Sequence, residues 1–188
     1  MVLEQRQINL LIAYRDKSYI MNMLCEKSFE RFNFIKSICN IPLIIISSCV
    51  AILNSSSINA EDMKLPNIVI NSLTAMLISM IGNFKVNEKE QGFKQLSNKF
   101  MKLTHEIEDD LNNHLQELTG DDVSSKIKDY DCLIETIEFT FPSKIKNQLY
   151  TKFKNKRTLP SILNCETTDY QVTVSEPITP IFQNNNNV

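Results

Sequence analysis

The residues of this chain that come nearest to a chemical site are an acidic cluster and the two histidines beside it. They are His105, Glu106, Glu108, Asp109, Asp110 and His114. Carboxylates and imidazoles can bind a metal ion or exchange protons when they share one face of a helix. The histidines are nine positions apart, whereas side chains on one face lie three or four apart, and the carboxylates spread around the helix. We therefore interpret the cluster as a solvated charged face.

The rest of the chain offers no stronger chemistry. Its five cysteines include no C-x-x-C pair, which predicts separate free thiols. Paired carboxylates, a nucleophile beside a base, and a glycine-rich phosphate loop are also missing from the sequence. The sequence therefore predicts a protein that is not an enzyme, with no catalytic residue, metal, cofactor or small-molecule substrate. A formal net charge of -2 argues against a nucleic-acid partner.

Uncharged apolar residues are concentrated in two blocks. No charged residue lies between Lys36 and Glu61, and none lies between Lys64 and Lys85. Each block is close to the ~20 residues that cross a hydrocarbon core of about 30 Å. Neither block has the polar face that a helix on the surface of a soluble protein needs. We predict an all-α integral membrane protein, and the alternative is a pair of buried helices in a soluble bundle.

The short connection between the blocks predicts a transmembrane hairpin over residues 37–84. Its two helices should cover about 37–54 and 65–84 and run antiparallel, so both chain termini lie on one side. Lys and Arg are numerous just outside the hairpin, whereas the connection carries only Lys64. The positive-inside rule then places both termini in the cytosol. A lipid bilayer is the first predicted partner.

Several residues within the hairpin suit close packing of helices in a bilayer. A proline at position 42 should kink the first helix or mark the point where the chain enters the membrane. Small and polar side chains allow helices to approach closely and to hydrogen-bond to one another. The predicted packing residues are Pro42, Ser47, Ser48, Asn71 and Ser79.

A heptad-like pattern follows the second block and predicts a long helix over residues 85–119. Apolar residues recur at steps of three and four, with charged or amide side chains between them. They are Phe93, Leu96, Phe100, Leu103, Ile107, Leu111, Leu115 and Leu118. The N-terminal region, 1–36, has a weaker helical pattern and should be the antiparallel partner. Together they predict a cytosolic helical stalk that continues the hairpin.

Residues 120–157 are predicted to form a helical C-terminal module. Thr119 to Asp122 should end one helix and begin the next, which would continue as far as Pro142. A basic amphipathic helix then begins at Ser143 and contains no acidic residue as far as Arg157. Such a helix can contact anionic lipid or an acidic protein surface, and the alternative is a solvated helix without a partner.

Residues 158–188 are predicted to form an extended tail. They contain prolines, a strand-like stretch at Tyr170–Val174 and a run of asparagines. A segment of this composition usually becomes ordered only against a partner, for example as an added strand. The predicted contact residues of the basic helix and the tail are Lys144, Lys146, Lys152, Phe153, Lys154, Lys156, Arg157, Tyr170, Val172 and Val174.

The layout resembles the SLATT superfamily of proteins with two transmembrane helices. The resemblance covers about Ile12 to Leu118 and rests on Asn40-Ile41-Pro42, an Ile-rich first segment, a short loop and the charged heptad helix. It implies a membrane protein without catalytic residues. Bacterial members are proposed to be pore-forming effectors, and similar proteins of large DNA viruses of algae and amoebae are candidates for virion membrane or minor capsid components. The Asn, Ile and Lys bias favours the viral setting.

About seventy residues follow the predicted stalk helix, and this additional mass is better explained by docking than by a pore alone. The expected function is therefore structural, with the bilayer tethered to an overlying scaffold or capsid protein. The expected location is a membrane with cytosolic termini, such as the inner membrane of a virion beneath its capsid. The alternative is a two-helix effector that associates with itself and forms pores.

Overall fold

The computed structural model describes residues 4–55, 64–155 and 158–163. All regular structure in those ranges is helical, which confirms the all-α class. The helices are α1, Gln5–Ser55; α2, Lys64–Asn83; α3, Val86–Asn113; α4, Gly120–Glu135; and α5, Ser143–Phe153; a 3-10 turn follows at Ser161–Leu163. The strand-like stretch at 170–174 lies outside the described residues.

Helix α1 joins the predicted N-terminal helix and the first apolar block without a break. It has 51 residues, which corresponds to roughly 75 Å at the rise of an α-helix. Pro42 lies inside it. Proline removes one backbone hydrogen bond, but α1 continues to Ser55, so Pro42 does not end the helix.

The N-terminal part of α1 packs along α3, and the two helices run in opposite directions. The Ser18 hydroxyl donates to the Phe100 carbonyl at 2.9 Å, and further along α1 the Lys36 ammonium lies 2.7 Å from Glu90. The partner number falls as the α1 number rises, as antiparallel packing requires. Fully buried side chains form the core between α1 and α3. They are Leu11, Ile20, Met21, Leu24, Cys25, Phe93, Phe100 and Ile107.

The heptad pattern predicts the buried face of α3 correctly up to Ile107. Its last members lie differently, because α3 ends at Asn113. Leu115 is exposed, and Leu118 is buried although it lies in the connection beyond the helix. Two consecutive asparagines, Asn112 and Asn113, explain the early end, since their side chains compete with the backbone for hydrogen bonds.

Helix α4 begins where the sequence predicts a new helix, and a capping box stabilises its start. The Thr119 hydroxyl accepts from the Asp122 backbone N–H at 3.4 Å, and an Asp122 carboxylate oxygen accepts from the Thr119 N–H at 2.8 Å. These two bonds satisfy donors that the first turn of a helix otherwise leaves without a partner.

Thr119→Ala is expected to lower the free energy of unfolding by about 1 kcal/mol, the usual cost of losing such a cap. Thermal unfolding in detergent micelles, followed by circular dichroism, measures the change. Thr151→Ala is the matched control, because the Thr151 hydroxyl is exposed and bonds only to the Asn147 carbonyl of its own helix. Equal losses in the two variants would contradict the role of the cap.

Helix α4 ends at Glu135, earlier than the prediction that it continues as far as Pro142. The Thr136 hydroxyl donates to the Leu133 carbonyl at 2.8 Å and so competes with the helix, and Pro142 disfavours helical backbone in the residue before it. The connection between α4 and α5 places two aromatic rings beside Phe93. The ring centroid of Phe139 lies 6.0 Å from that of Phe93, and the centroid of Phe141 lies 5.0 Å from it.

The beginning of the predicted tail differs from an extended segment. Pro160 and Leu163 are buried, and the 3-10 turn that contains Leu163 contacts α5. Both side chains belong to the core because they are apolar and lie close after α5 in the chain. Residues 158–163 therefore form part of the helical bundle, and the later part of the tail lies outside the described residues.

Candidate membrane-embedding surface

Two segments leave most of their apolar side chains exposed and contain no buried residue. We define the embedding surface as residues 37–52 of α1 and 65–83 of α2. Each of the two helical stretches contains an 18-residue apolar window in which no residue is buried. A core helix of a soluble protein is covered by its neighbours, and large exposed apolar patches usually contact a partner or a membrane. Both stretches are long and apolar enough to cross a membrane.

The exposure changes abruptly where the charged residues begin. Many apolar side chains before Lys36 in α1 and after Lys85, from α3 onward, point inward and form the buried core. Lys85 separates α2 from α3 and has a left-handed backbone with φ 50°, a conformation that ends a helix. Between α2 and α3 the boundary of the exposed apolar part thus coincides with a break between helices, whereas at Lys36 it lies within the continuous helix α1.

Helices α1 and α2 contact each other, and each has half-buried positions at helical spacing. The half-buried positions recur at steps of three and four and include Leu43, Ile46, Leu77 and Ile81. The sequence does not distinguish these residues, because apolar side chains occur on all faces of the two blocks and periodicity therefore does not separate one face from another.

The five predicted packing residues do not form this contact. Pro42, Ser47, Ser48, Asn71 and Ser79 are all exposed. The hydroxyls of Ser47 and Ser48 donate to the carbonyls four residues earlier, at 2.8 and 2.9 Å, and the Ser79 hydroxyl accepts from an amide of its own helix at 3.4 Å. Their packing against a helix of another molecule stays a prediction.

Helix α5 presents two different faces. Ile145, Leu149 and Phe153 are buried. Phe153 was predicted to contact a partner, and this is wrong, because only 8% of its surface is exposed and it packs in the core. The side chain lies one helical turn beyond Leu149, on the same apolar face.

The charged face of α5 points outward. Lys144, Lys152 and Lys154 are exposed, and Lys146 is half-buried. None of the four forms an ion pair with a carboxylate of the described residues. This surface is therefore available to an acidic partner or to anionic lipid. The remaining predicted contact residues, Lys156, Arg157, Tyr170, Val172 and Val174, lie outside the described residues.

The acidic cluster is more than a solvated face, because two of its members join α3 to α4. The Lys126 ammonium lies 2.9 Å from Glu106 and 3.6 Å from Asp110. The hydrogen bond from Lys126 lowers the pKa of Glu106. Burial alone would lower the pKa of Lys126, but hydrogen bonding and the charge of Glu106 and Asp110 outweigh burial and raise it.

The two histidines and four of the cysteines lie within the described residues. His105 pairs with Glu108 at 3.5 Å and His114 with Glu117 at 3.4 Å, each within its own segment. Among the described residues, no three potential ligands converge on one point as a metal site needs. The four cysteines in those ranges are free, and burial raises the pKa of Cys25 to about 12, which keeps its thiol protonated.

Lys126→Gln is expected to lower the free energy of unfolding by about 1–2 kcal/mol, between the values for exposed ion pairs and for buried charged hydrogen bonds. Lys102→Gln is the control, since Lys102 approaches the same Glu106 at 3.7 Å but is largely exposed. Thermal unfolding in micelles measures both. Equal small effects would show that Lys126 does not connect α3 to α4.

The effect of Lys126→Gln should depend on pH. Because the pKa of Glu106 lies below its ordinary 4.5, its contribution is complete above that pH and is lost as the pH falls through the lowered value. Because the pKa of Lys126 lies above 10.5, its contribution is complete below that pH and is lost as the pH rises through the raised value. If the free energies of unfolding of the wild type and Lys126→Gln differ by the same amount from acidic to alkaline pH, the pairing of Lys126 with Glu106 is contradicted.

Comparison of the chain with protein-family models, with curated proteins and with solved structures gives no match. The resemblance to the SLATT superfamily therefore stays a prediction, and the functional argument rests on the geometry described above.

Proposed function

We propose that this chain is an integral membrane protein in which the embedding surface forms a transmembrane hairpin and the packed helices lie in the cytosol. The observation that carries the proposal is that neither apolar window contains a buried residue, whereas the neighbouring segments form a well-packed core. One chain thus contains a surface that suits hydrocarbon and a bundle that suits water. The change between them falls at Lys36 and Lys85, where lysines can contact lipid head groups.

We further propose that the cytosolic part tethers the bilayer to an overlying protein layer. The lysines of α5 support this proposal, because none of them pairs with a carboxylate of the described residues and a basic face suits an acidic surface. The residues after Leu163 would add a second contact. The resemblance and the composition bias favour a viral capsid as this layer, with the protein as a minor capsid or virion membrane component.

Charge reversal of α5 and truncation of the tail test the tether separately. The first variant replaces Lys144, Lys152 and Lys154 by Glu; the second ends the chain after Leu163, so that the buried Leu163 is retained. Crosslinking mass spectrometry on the native membrane or particle fraction should show contacts of the wild type with a different, abundant protein. Both variants should stay in the membrane fraction and lose those contacts.

The control for charge reversal is a triple variant with the same change in net charge. Lys94, Lys99 and Lys128 are exposed on α3 and α4, and neither of these helices has close backbone contacts with α5. Their replacement by Glu should therefore leave the crosslinks intact. If the control loses the contacts as the α5 variant does, the interaction depends on total charge and not on this face. Crosslinks only between copies of this chain would contradict the tether.

The second candidate function is a pore made from several hairpins. The exposure of Asn71 and Ser79 on an apolar helix supports it, because an amide and a hydroxyl facing lipid can bond to another copy. Purified protein in liposomes should then release an enclosed dye, and Asn71→Leu should reduce the release. Intact vesicles at high protein-to-lipid ratio would leave the tether as the better account.

A further inference from the structure

A cavity lies where α1, α2 and α3 meet. Its volume is about 260 Å³, just below the roughly 300–1,000 Å³ typical of small-molecule sites. Its lining includes Phe32, Ile35, Cys39, Ile81, Phe84 and one charged residue, Lys89. Water in such a cavity would find few hydrogen-bond partners, so the cavity suits a hydrocarbon ligand.

Lys89 differs from the other lysines at the same boundary. Lys36 is paired with Glu90 at 2.7 Å, and Lys85 with Glu88 at 3.2 Å. Lys89 has no carboxylate partner among the described residues, and its ammonium lies 5.7 Å from the centre of the Phe32 ring. The cavity therefore combines an apolar interior with one cation that no carboxylate of the described residues neutralises.

The position of the cavity indicates the source of its ligand. It lies between the embedding surface and the charged bundle, with Cys39 and Ile81 on the membrane side and Lys89 on the other. If the hairpin spans a bilayer, this is the depth at which acyl chains meet head groups. A phospholipid of the surrounding leaflet presents both chemistries in that order.

We propose that this cavity binds an anionic phospholipid, with part of one acyl chain among the apolar side chains and the phosphate beside Lys89. The proposal rests on membrane insertion and adds a specific lipid contact to it. Charge complementarity selects the head group, because a neutral zwitterionic lipid of equal chain length offers Lys89 no net negative charge.

Native mass spectrometry of the full chain released from micelles tests the site. The probes are dioleoyl phosphatidylglycerol and dioleoyl phosphatidylcholine, which share acyl chains and differ in net charge. The wild type should retain one phosphatidylglycerol in preference to phosphatidylcholine. Lys89→Gln should weaken that retention about fivefold, the effect of one lysine near a charged membrane surface.

Lys94→Gln is the matched control. The Lys94 ammonium also lies 5.7 Å from the centre of a phenylalanine ring, that of Phe29, but Lys94 does not line the cavity. Its replacement should leave lipid retention unchanged. A second variant, Ile81→Phe, fills the cavity without changing charge and should reduce retention of the lipid, while circular dichroism checks that the helices remain folded.

The outcomes separate this proposal from the one on which it rests. Flotation of the protein with vesicles measures membrane insertion independently of the lipid site. If the chain floats but Lys89→Gln and Lys94→Gln retain the lipid equally, or if both lipids are retained equally by the wild type, the lipid site is refuted and the anchor stands. If the chain does not float, both proposals fail.

Discussion

Leu73→Arg is expected to reduce insertion of α2 into membranes by roughly 60- to 300-fold. An arginine at the centre of a transmembrane helix costs about 2.5–3.5 kcal/mol, and about 1.4 kcal/mol corresponds to tenfold. Leu73 lies near the middle of α2, Lys64–Asn83. This helix already contains several polar residues, so a further charged residue should strongly disfavour its insertion. The membrane fraction that resists alkaline carbonate extraction measures the effect.

Met101→Arg is the matched control for this prediction. Met101 is 48% exposed and Leu73 is 49% exposed, but Met101 lies on α3 within the packed bundle. An arginine there remains in water and should change neither extraction nor stability by more than about 0.5 kcal/mol. Equal extraction of the two variants would mean that α2 does not lie in hydrocarbon.

Phe93→Ala is expected to lower the free energy of unfolding by about 3–5 kcal/mol, as for other large buried aromatics. Phe93 is completely buried, and its ring lies 5.7 Å from Phe32 of α1 and 5.0 Å from Phe141 before α5. Its removal leaves a cavity where three segments meet and also removes the aromatic contacts. Thermal unfolding of the bundle in micelles, followed by circular dichroism, measures this loss.

Phe34→Ala provides the comparison, because the chemical change is the same and Phe34 is 65% exposed. Its effect on unfolding should stay within about 0.5 kcal/mol. Similar losses in both variants would contradict the assignment of Phe93 to the core of the bundle. A large loss from Phe34 alone would indicate that its exposed ring is covered by another molecule.

The sequence predicts those elements whose signal is local. The apolar blocks, the buried face of α3 and the start of a new helix at Thr119 each depend on residues that lie close together in the chain, and a period or a helix-start signal identifies them. The basic face of α5 is another such case, because no acidic residue interrupts it.

Contacts between distant segments could not be predicted in this way. Lys126 reaches Glu106 from another helix, and no local pattern indicates that pair. Phe141 was assigned to α4 because its spacing continues the helix, whereas packing on Phe93 and the effect of Pro142 place it in a connection. In the sequence, Phe153 is one of the apolar residues of a basic amphipathic helix, which predicts contact with a partner or a membrane. Only the burial of its ring shows that this face of α5 packs inward.

Glycosylation mapping in microsomes tests the transmembrane hairpin most directly. One reporter site is placed in a lengthened connection over residues 56–63 and another after Val188, with Asn54→Gln removing the natural Asn54-Ser55-Ser56 acceptor. A hairpin with cytosolic termini predicts a glycan on the connection and none on the C-terminus. A C-terminal glycan, or no glycan on either reporter together with release of the protein by alkaline carbonate, would contradict the account.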